Sequence, residues 1–317
     1  MKKILITGAC GQIGTELTET LRGIYGVENV VATNRSECKE TSLNENGIFE
    51  MLDVTDYDRL LELVKKYEID SIINLAAVLS AVGEANPQAL WNVNMNGLYN
   101  CLEVAREMGC MVFTPSSIAA FGPSTPADFT PQETIQRPTT IYGVSKVAGE
   151  LLCDYYFKRY GVDTRGVRFP GLISYKALPG GGTTDYAVHI YYDALKHGKF
   201  TCNLAADTYM DMMYMPDAIE SIIQICEADS ATLQHRNAFN ITAMSFCPED
   251  IKKSIQKFIP EFEMDYAVDP IKQDIANSWP NSLDDSCARA EWGWNPKYDL
   301  DKMTADMLEK LKIKLGL

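Results

Sequence analysis

Apolar residues fall along the chain in two alternating rhythms, short dense runs and stretches that repeat at helical intervals. Residues 3–7 (KILIT) make a β-rich run, after which Ile13, Leu17, Leu21 and Ile24 recur on one helix face. Dense runs at 30–33, 48–52, 71–75 and 111–115 read as four further strands. Between them Leu60, Leu61 and Val64 mark a helix, and Pro87 opens a longer one that reaches Met108 through Leu90, Val93, Leu98, Leu102 and Val104. Residues 122–138 have no period and are rich in Pro, Thr and acidic residues, so they read as a loop over the sheet edge. A helix over 140–160 follows, stopped by Gly161, and then a sixth strand at 163–169. The apolar side of that helix, with Val147, Leu151, Leu152, Tyr155 and Tyr156, is wide enough to cover the sheet and to offer a second face to another subunit. Alternation of this kind predicts an α/β fold with a doubly wound parallel sheet. Later, 186–197, 248–258 and 300–315 read as helices and 212–215 as a core strand. The expected division is a sheet domain over 1–170, which also receives later returning segments, and a smaller lobe built mostly from 171–317.

With 317 residues, 46% of them hydrophobic, the chain can bury a large core. A formal net charge of −14 and the lack of a basic stripe argue against nucleic acid as a partner and against an anionic membrane surface. No apolar run approaches membrane-spanning length. The basic-then-apolar start leads straight into glycines, so it reads as a first strand and not as a signal peptide. Nine cysteines are scattered with no C-x-x-C pair, which predicts reduced thiols in a reducing, cytoplasmic setting. Cys101, Cys153 and Cys226 fit helical patterns as small core residues. His189, His197 and His235 have no metal-ligand spacing with Cys or carboxylates, so no metal is expected.

The turn after the first run reads Gly8-Ala9-Cys10-Gly11-Gln12-Ile13-Gly14 and opens a helix. Glycines at this spacing permit a tight turn and close backbone approach, and the helix N-terminus faces a pyrophosphate. In NAD sites an acidic residue often ends the second strand and holds the ribose hydroxyls. Here Asn34-Arg35 stands in its place. Asn34 can bond a hydroxyl, whereas Arg35 would meet a 2′-phosphate, so NAD and NADP both stay open on these residues. Ligands of such sheets sit beyond the C-terminal strand ends. Those ends hold Asp53-Val54, Asn74 followed by Leu75-Ala76-Ala77, Ser116-Ser117, and Pro170. Asn94, costly inside a helix, is a further candidate. The Gly180–Asp185 loop (GGGTTD) reads equally as a lid with a glycine hinge or as an ordinary surface loop. In TTIYGVSKVAGE, Tyr142 and Lys146 lie one helical turn apart. An ammonium beside a phenol favours the phenolate, a proton acceptor, although the same spacing also arises on solvated faces.

In order along the chain, Gly8-x-x-Gly11-x-x-Gly14, Asp53-Val54, Asn74-Leu75-Ala76-Ala77, Ser117 and Tyr142-x-x-x-Lys146 resemble the extended short-chain dehydrogenase/reductase family. TPSSIAAFG (114–122), PGLISY (170–175), GTTDYAV (182–188), MMYMPDA (212–218) and SWPNSLD (278–284) extend the likeness over nearly the whole chain, to the zinc-independent branch that oxidises L-threonine. The resemblance implies a Rossmann-type sheet, NAD, no metal and a homodimer. It implies Tyr142 as base, Lys146 on the nicotinamide ribose and Ser117 on the substrate oxygen. The cofactor contacts it implies are Gly8, Gly11, Gln12, Ile13, Gly14, Asn34, Asp53, Val54, Leu75, Ala76, Ala77, Asn94, Tyr142, Lys146 and Pro170. The substrate contacts are Ser80, Ser116, Ser117, Tyr142, Thr183, Thr184 and Trp279. Asn34 departs from the acidic residue that many relatives carry. Two rival readings remain. A nucleotide-sugar 4-epimerase or dehydratase would grip a nucleotide diphosphate, usually with arginines, whereas residues 175–187 are short and rich in Gly and Thr. A non-catalytic NAD(P)-sensing regulator would have no need of the retained Tyr142, Lys146 and Ser117.

Overall fold

The computed structural model describes residues 1–38, 41–176 and 182–317, with backbone alone at 41, 42 and 81. The strands through residue 173 are β1 (Ile4–Thr7), β2 (Val30–Asn34), β3 (Phe49–Met51), β4 (Ser71–Asn74), β5 (Met111–Phe113), β6 (Ser116–Ser117), β7 (Thr164–Arg165), β8 (Val167–Phe169) and β9 (Gly171–Ile173). The central sheet runs β3-β2-β1-β4-β5-β7, every neighbour parallel. This is the doubly wound, Rossmann-type order. Ile4 and Ile6 pack on one side of the sheet with Leu17, Leu21 and Ile222, and Leu5 packs on the other with Leu60, Val64 and Leu102. A strand buried on both faces needs a continuous apolar run, which is why β1 and β4 read as ILI and SII. A separate apolar cluster, drawn from Ile173 to Leu311, holds Tyr186, Tyr191, Met210, Phe246 and Met303. No helix among the described residues is long and apolar enough to cross a membrane.

One expected strand is cut short and another is split. The 111–115 run ends at Phe113 as β5, with Ser116–Ser117 set apart as β6, and the 163–169 run becomes β7 and β8. Pro115 has no N–H for a ladder, and a Cβ on Gly166 would lie 2.5 Å from the Thr114 carbonyl oxygen. The break frees Ser116 and Ser117 from the central sheet to pair instead with Arg168 and Phe169. The long helical stretch from Pro87 to Met108 contains a π-helical turn at Asn92–Asn96. Such turns release a helix side chain for other bonds. Asn94 uses that freedom, accepting from Val78 N–H at 2.8 Å and donating to Val78 C=O at 3.1 Å.

The helix Ile141–Tyr160 starts where the Thr140 hydroxyl accepts from Gly143 N–H at 3.0 Å and ends at Gly161, whose φ is +72°. Tyr156 is buried against the sheet side, whereas Leu151 is 64% and Tyr155 50% exposed, so one apolar face is covered within the chain and the other is open. At the end of the first helix, Gln12–Tyr25, Ile24 likewise points outward.

The cysteine reading needs one correction. Cys10 and Cys38 are bonded, with Cα atoms 5.5 Å apart, and the other seven cysteines are free. The pair is 28 residues apart, and only the fold brings it together. β1 and β2 are neighbours, and Ala9 N–H donates to Thr33 C=O at 2.9 Å, so the glycine turn abuts the segment leaving β2.

Candidate active site

The glycine turn is built by close approach. Gly8 has φ +67°, and a Cβ there would lie 2.8 Å from the Ala76 nitrogen. A Cβ on Gly14 would lie 2.4 Å from the Gly8 carbonyl oxygen. Gly11 caps the first helix with no side-chain acceptor, and no acidic residue occupies the first turn. The helix N-terminus is therefore left bare for an anion. The buried Gln12 Nε2 beside it has no hydrogen-bond partner among the described residues. This donor set fits the pyrophosphate of a dinucleotide. The Thr7 hydroxyl donates to Asn74 Oδ1 at 2.7 Å and accepts from Ala76 N–H at 3.2 Å, fastening the ends of β1 and β4 together at the mouth.

Tyr142 and Lys146 project from the first turns of the Ile141–Tyr160 helix, with the Lys146 ammonium 5.2 Å from the tyrosine ring centroid. Lys146 also donates to Pro115 C=O at 2.7 Å, so the break between β5 and β6 anchors it. Ser117 Oγ accepts from Ala119 N–H at 3.2 Å, which leaves its own hydrogen free to donate.

One cavity of about 1220 Å³ gathers sixteen of the residues named from the sequence. Gly8, Gly11, Gln12, Ile13, Gly14, Leu75 and Ala77 line it together with Ser116, Ser117, Tyr142, Lys146 and Pro170, and with Ser80, Thr183, Thr184 and Trp279. Ala76 and Asn94 line a small adjoining cavity behind Lys146. Asn34, Asp53 and Val54 are not part of the described lining of either. Asn34 donates to Ser36 C=O at 3.0 Å, and Val54 is buried in the core. Asp53 is held below the ordinary carboxylate range, first by the Thr55 N–H, against the opposing effect of partial burial, with the Thr55 hydroxyl and Arg35 assisting. Of the loop read as a lid, Gly180 and Gly181 lie outside the described residues, and Thr183–Asp185 form a 3₁₀ turn.

Trp279 reaches the cavity because its turn is fastened from below. Asp211, on the strand Met210–Tyr214, accepts from Leu283 N–H at 2.9 Å and from the Thr242 hydroxyl at 2.6 Å. Burial pushes the Asp211 carboxyl up to about 8.

A buried network behind Ser116 escaped the sequence reading. Glu150 accepts from Ser116 Oγ, from Gln136 at 2.7 Å and from Arg168 at 2.8 and 3.0 Å. Arg168 also donates to Gln132 C=O and to Asn240 Oδ1, and both charged side chains are less than a tenth exposed. Ser116 spends its hydrogen on Glu150, so it offers lone pairs to the cavity. A second grouping lies elsewhere. His235 Nδ1 pairs with Glu291, and Cys287 Sγ lies 4.0 Å from His235 Nε2, so the absence of metal-ligand spacing in sequence did not keep the three apart in space.

A model of the NAD-dependent epimerase/dehydratase family matches residues 4–242. The chain is 60% identical over 314 residues to an uncharacterised epimerase/dehydratase of Staphylococcus aureus (strain USA300), covering 99% of this chain and 98% of that one. It superposes on an L-threonine dehydrogenase from Clostridium difficile with TM-score 0.98 and 62% identity, over 99% of this chain and 98% of that one. An L-threonine dehydrogenase from Phytophthora infestans gives TM-score 0.95 and 49% identity over 99% of this chain and 100% of that one. The chain belongs to the NAD-dependent epimerase/dehydratase family of extended short-chain dehydrogenases/reductases. It is therefore an enzyme of the nicotinamide-cofactor class.

Proposed function

We propose that the protein oxidises L-threonine at its β-hydroxyl to 2-amino-3-ketobutyrate, with NAD as the hydride acceptor. The observation that carries this reading is the chemistry of the cavity wall. With Tyr142 the lining holds the hydroxyls of Ser80, Thr183 and Thr184 and the Trp279 ring, and the described lining contains no arginine to grip a nucleotide diphosphate. The names of the superposed enzymes support the same substrate.

In this mechanism the Tyr142 oxygen takes the proton of the threonine hydroxyl. Lys146, anchored by Pro115, places a positive charge beside the Tyr142 ring and would reach the ribose of the cofactor. Ser117 donates its free hydrogen to the reacting oxygen and fixes its direction. A nicotinamide held there would supply the hydride acceptor. The zwitterion is sorted by donor type. Ser116, which presents only lone pairs, faces the ammonium, and the hydroxyls of Ser80, Thr183 and Thr184 serve the carboxylate. Gly8, Gly11 and Gln12 hold the pyrophosphate.

With NADH present to prevent turnover, L-threonine at about 100-fold its Kd should add about 2.7 kcal/mol of stability, read as a rise in Tm of several degrees. A UDP-sugar should add none. A rise with the UDP-sugar and none with threonine would favour the nucleotide-sugar epimerase reading.

A further inference from the structure

We propose that Cys10 and Cys38 form a reversible redox-modification site whose disulfide closes the adenosine half of the dinucleotide site. The proposal rests on the assignment of the glycine turn to a dinucleotide and is independent of the amino-acid substrate.

Position carries the first part of the argument. Cys10 lies inside the turn closed by Gly11 N–H donating to Gly8 C=O at 3.0 Å, and Cys38 lies four residues past the end of β2. In a doubly wound site the pyrophosphate sits on the helix N-terminus, and the ribose of adenosine meets the residues that end the second strand. The bond therefore runs from the phosphate cradle to the ribose wall.

Dimensions carry the second part. The two Cα atoms are 5.5 Å apart. A sugar ring in contact with both walls needs about 7 Å between them, two carbon–carbon contacts of about 3.5–4.0 Å each. The described lining of the cavity takes in Gly8 and Gly11 to Gly14 but includes neither Cys10 nor Asn34, Asp53 or Val54.

Six of the seven remaining thiols are poor competitors for an oxidant, and Cys287 alone of the seven is partly exposed. Cys101, Cys110, Cys153, Cys202, Cys226 and Cys247 are buried, and burial pushes the Cys101 and Cys226 thiols up to about 12. Cys10 is partly exposed beside the open Gly11. The co-reactant is a low-molecular-weight disulfide. The thiolate of one cysteine attacks one of its sulfurs and expels a thiolate, leaving a mixed disulfide. The second cysteine attacks that bond from the protein side and expels the other thiolate. Two protein thiols are oxidised, one external disulfide is reduced to two thiols, and the two protons end on those thiols. A dithiol reverses both steps.

The test is calorimetric titration of NAD into full-length protein, once after dithiothreitol and once after oxidised glutathione, with the Cys10–Cys38 peptide pair checked by mass spectrometry. Reduced protein should bind NAD at least tenfold more tightly than oxidised protein. Cys38→Ser should bind equally under both treatments, at the affinity of the reduced wild type. Cys287→Ser, which removes a half-buried thiol far along the chain, should keep the wild-type difference. Equal affinities in wild type, failure of the Cys10–Cys38 pair to form, or a difference that persists in Cys38→Ser would each overturn the proposal. NAD binding to neither form would overturn the dinucleotide assignment itself.

Discussion

Tyr142→Phe should lower kcat for threonine oxidation by about 10³-fold, within the range that a positioned acid–base group contributes, while leaving NAD affinity within a few-fold of wild type. The substitution removes one oxygen and keeps the ring. Lys146 does not depend on that oxygen for its place, because Pro115 C=O holds its ammonium at 2.7 Å. The glycine cradle is built by the turn after β1, a separate segment from the helix that carries Tyr142. The loss should therefore fall on kcat and kcat/KM together, the pattern of an interaction made in the transition state. Stopped-flow single turnover with calorimetric NAD binding separates the two quantities. Near-normal turnover in this variant would remove Tyr142 as the proton acceptor.

Arg168→Met should destabilise the protein by about 3–5 kcal/mol, the usual cost of leaving a buried charge without its partner. Glu150 is almost fully enclosed, and Arg168 supplies two of its four hydrogen bonds. Against a total stability of about 5–15 kcal/mol, that loss is large enough to read directly in urea unfolding. Glu150→Leu combined with Arg168→Met should recover most of the stability, because an apolar pair of similar volume avoids the desolvation cost. The double variant should still show a raised KM for threonine with little change in NAD affinity. Ser116 loses its acceptor, so its hydrogen turns into the cavity against the substrate ammonium. Full recovery of both stability and KM would confine the network to a structural role.

The parts of the site that were legible in the sequence are local ones. The strand, glycine turn and helix of the first 25 residues form within a short span, and Tyr142 and Lys146 share a helix face because they are four apart. The asparagine-rich stretch carried its own signal, since the helix cost noted at Asn94 corresponds to the π turn that frees its side chain. Pro115 and Gly166 are equally local signals, since proline has no N–H for a ladder and Gly166 packs against the Thr114 carbonyl. The long-range pairings had no local sign. Glu150 on the Ile141–Tyr160 helix and Arg168 on β8 share no sequence motif, and only the fold pairs them. Cys10 and Cys38 lacked any spacing motif, and the grouping of His235 with Cys287 and Glu291 spans more than fifty residues. Ser80, Thr183, Thr184 and Trp279 came from family resemblance, and the fold brings them to one cavity from three separate segments.

The most direct measurement mixes purified, reduced protein with L-threonine and either NAD or NADP and follows formation of the reduced nicotinamide. Saturable turnover with L-threonine and NAD, slower or absent with NADP, is the expected result. No reduction of either cofactor by L-threonine, together with interconversion of a UDP-sugar by the same preparation, would contradict it.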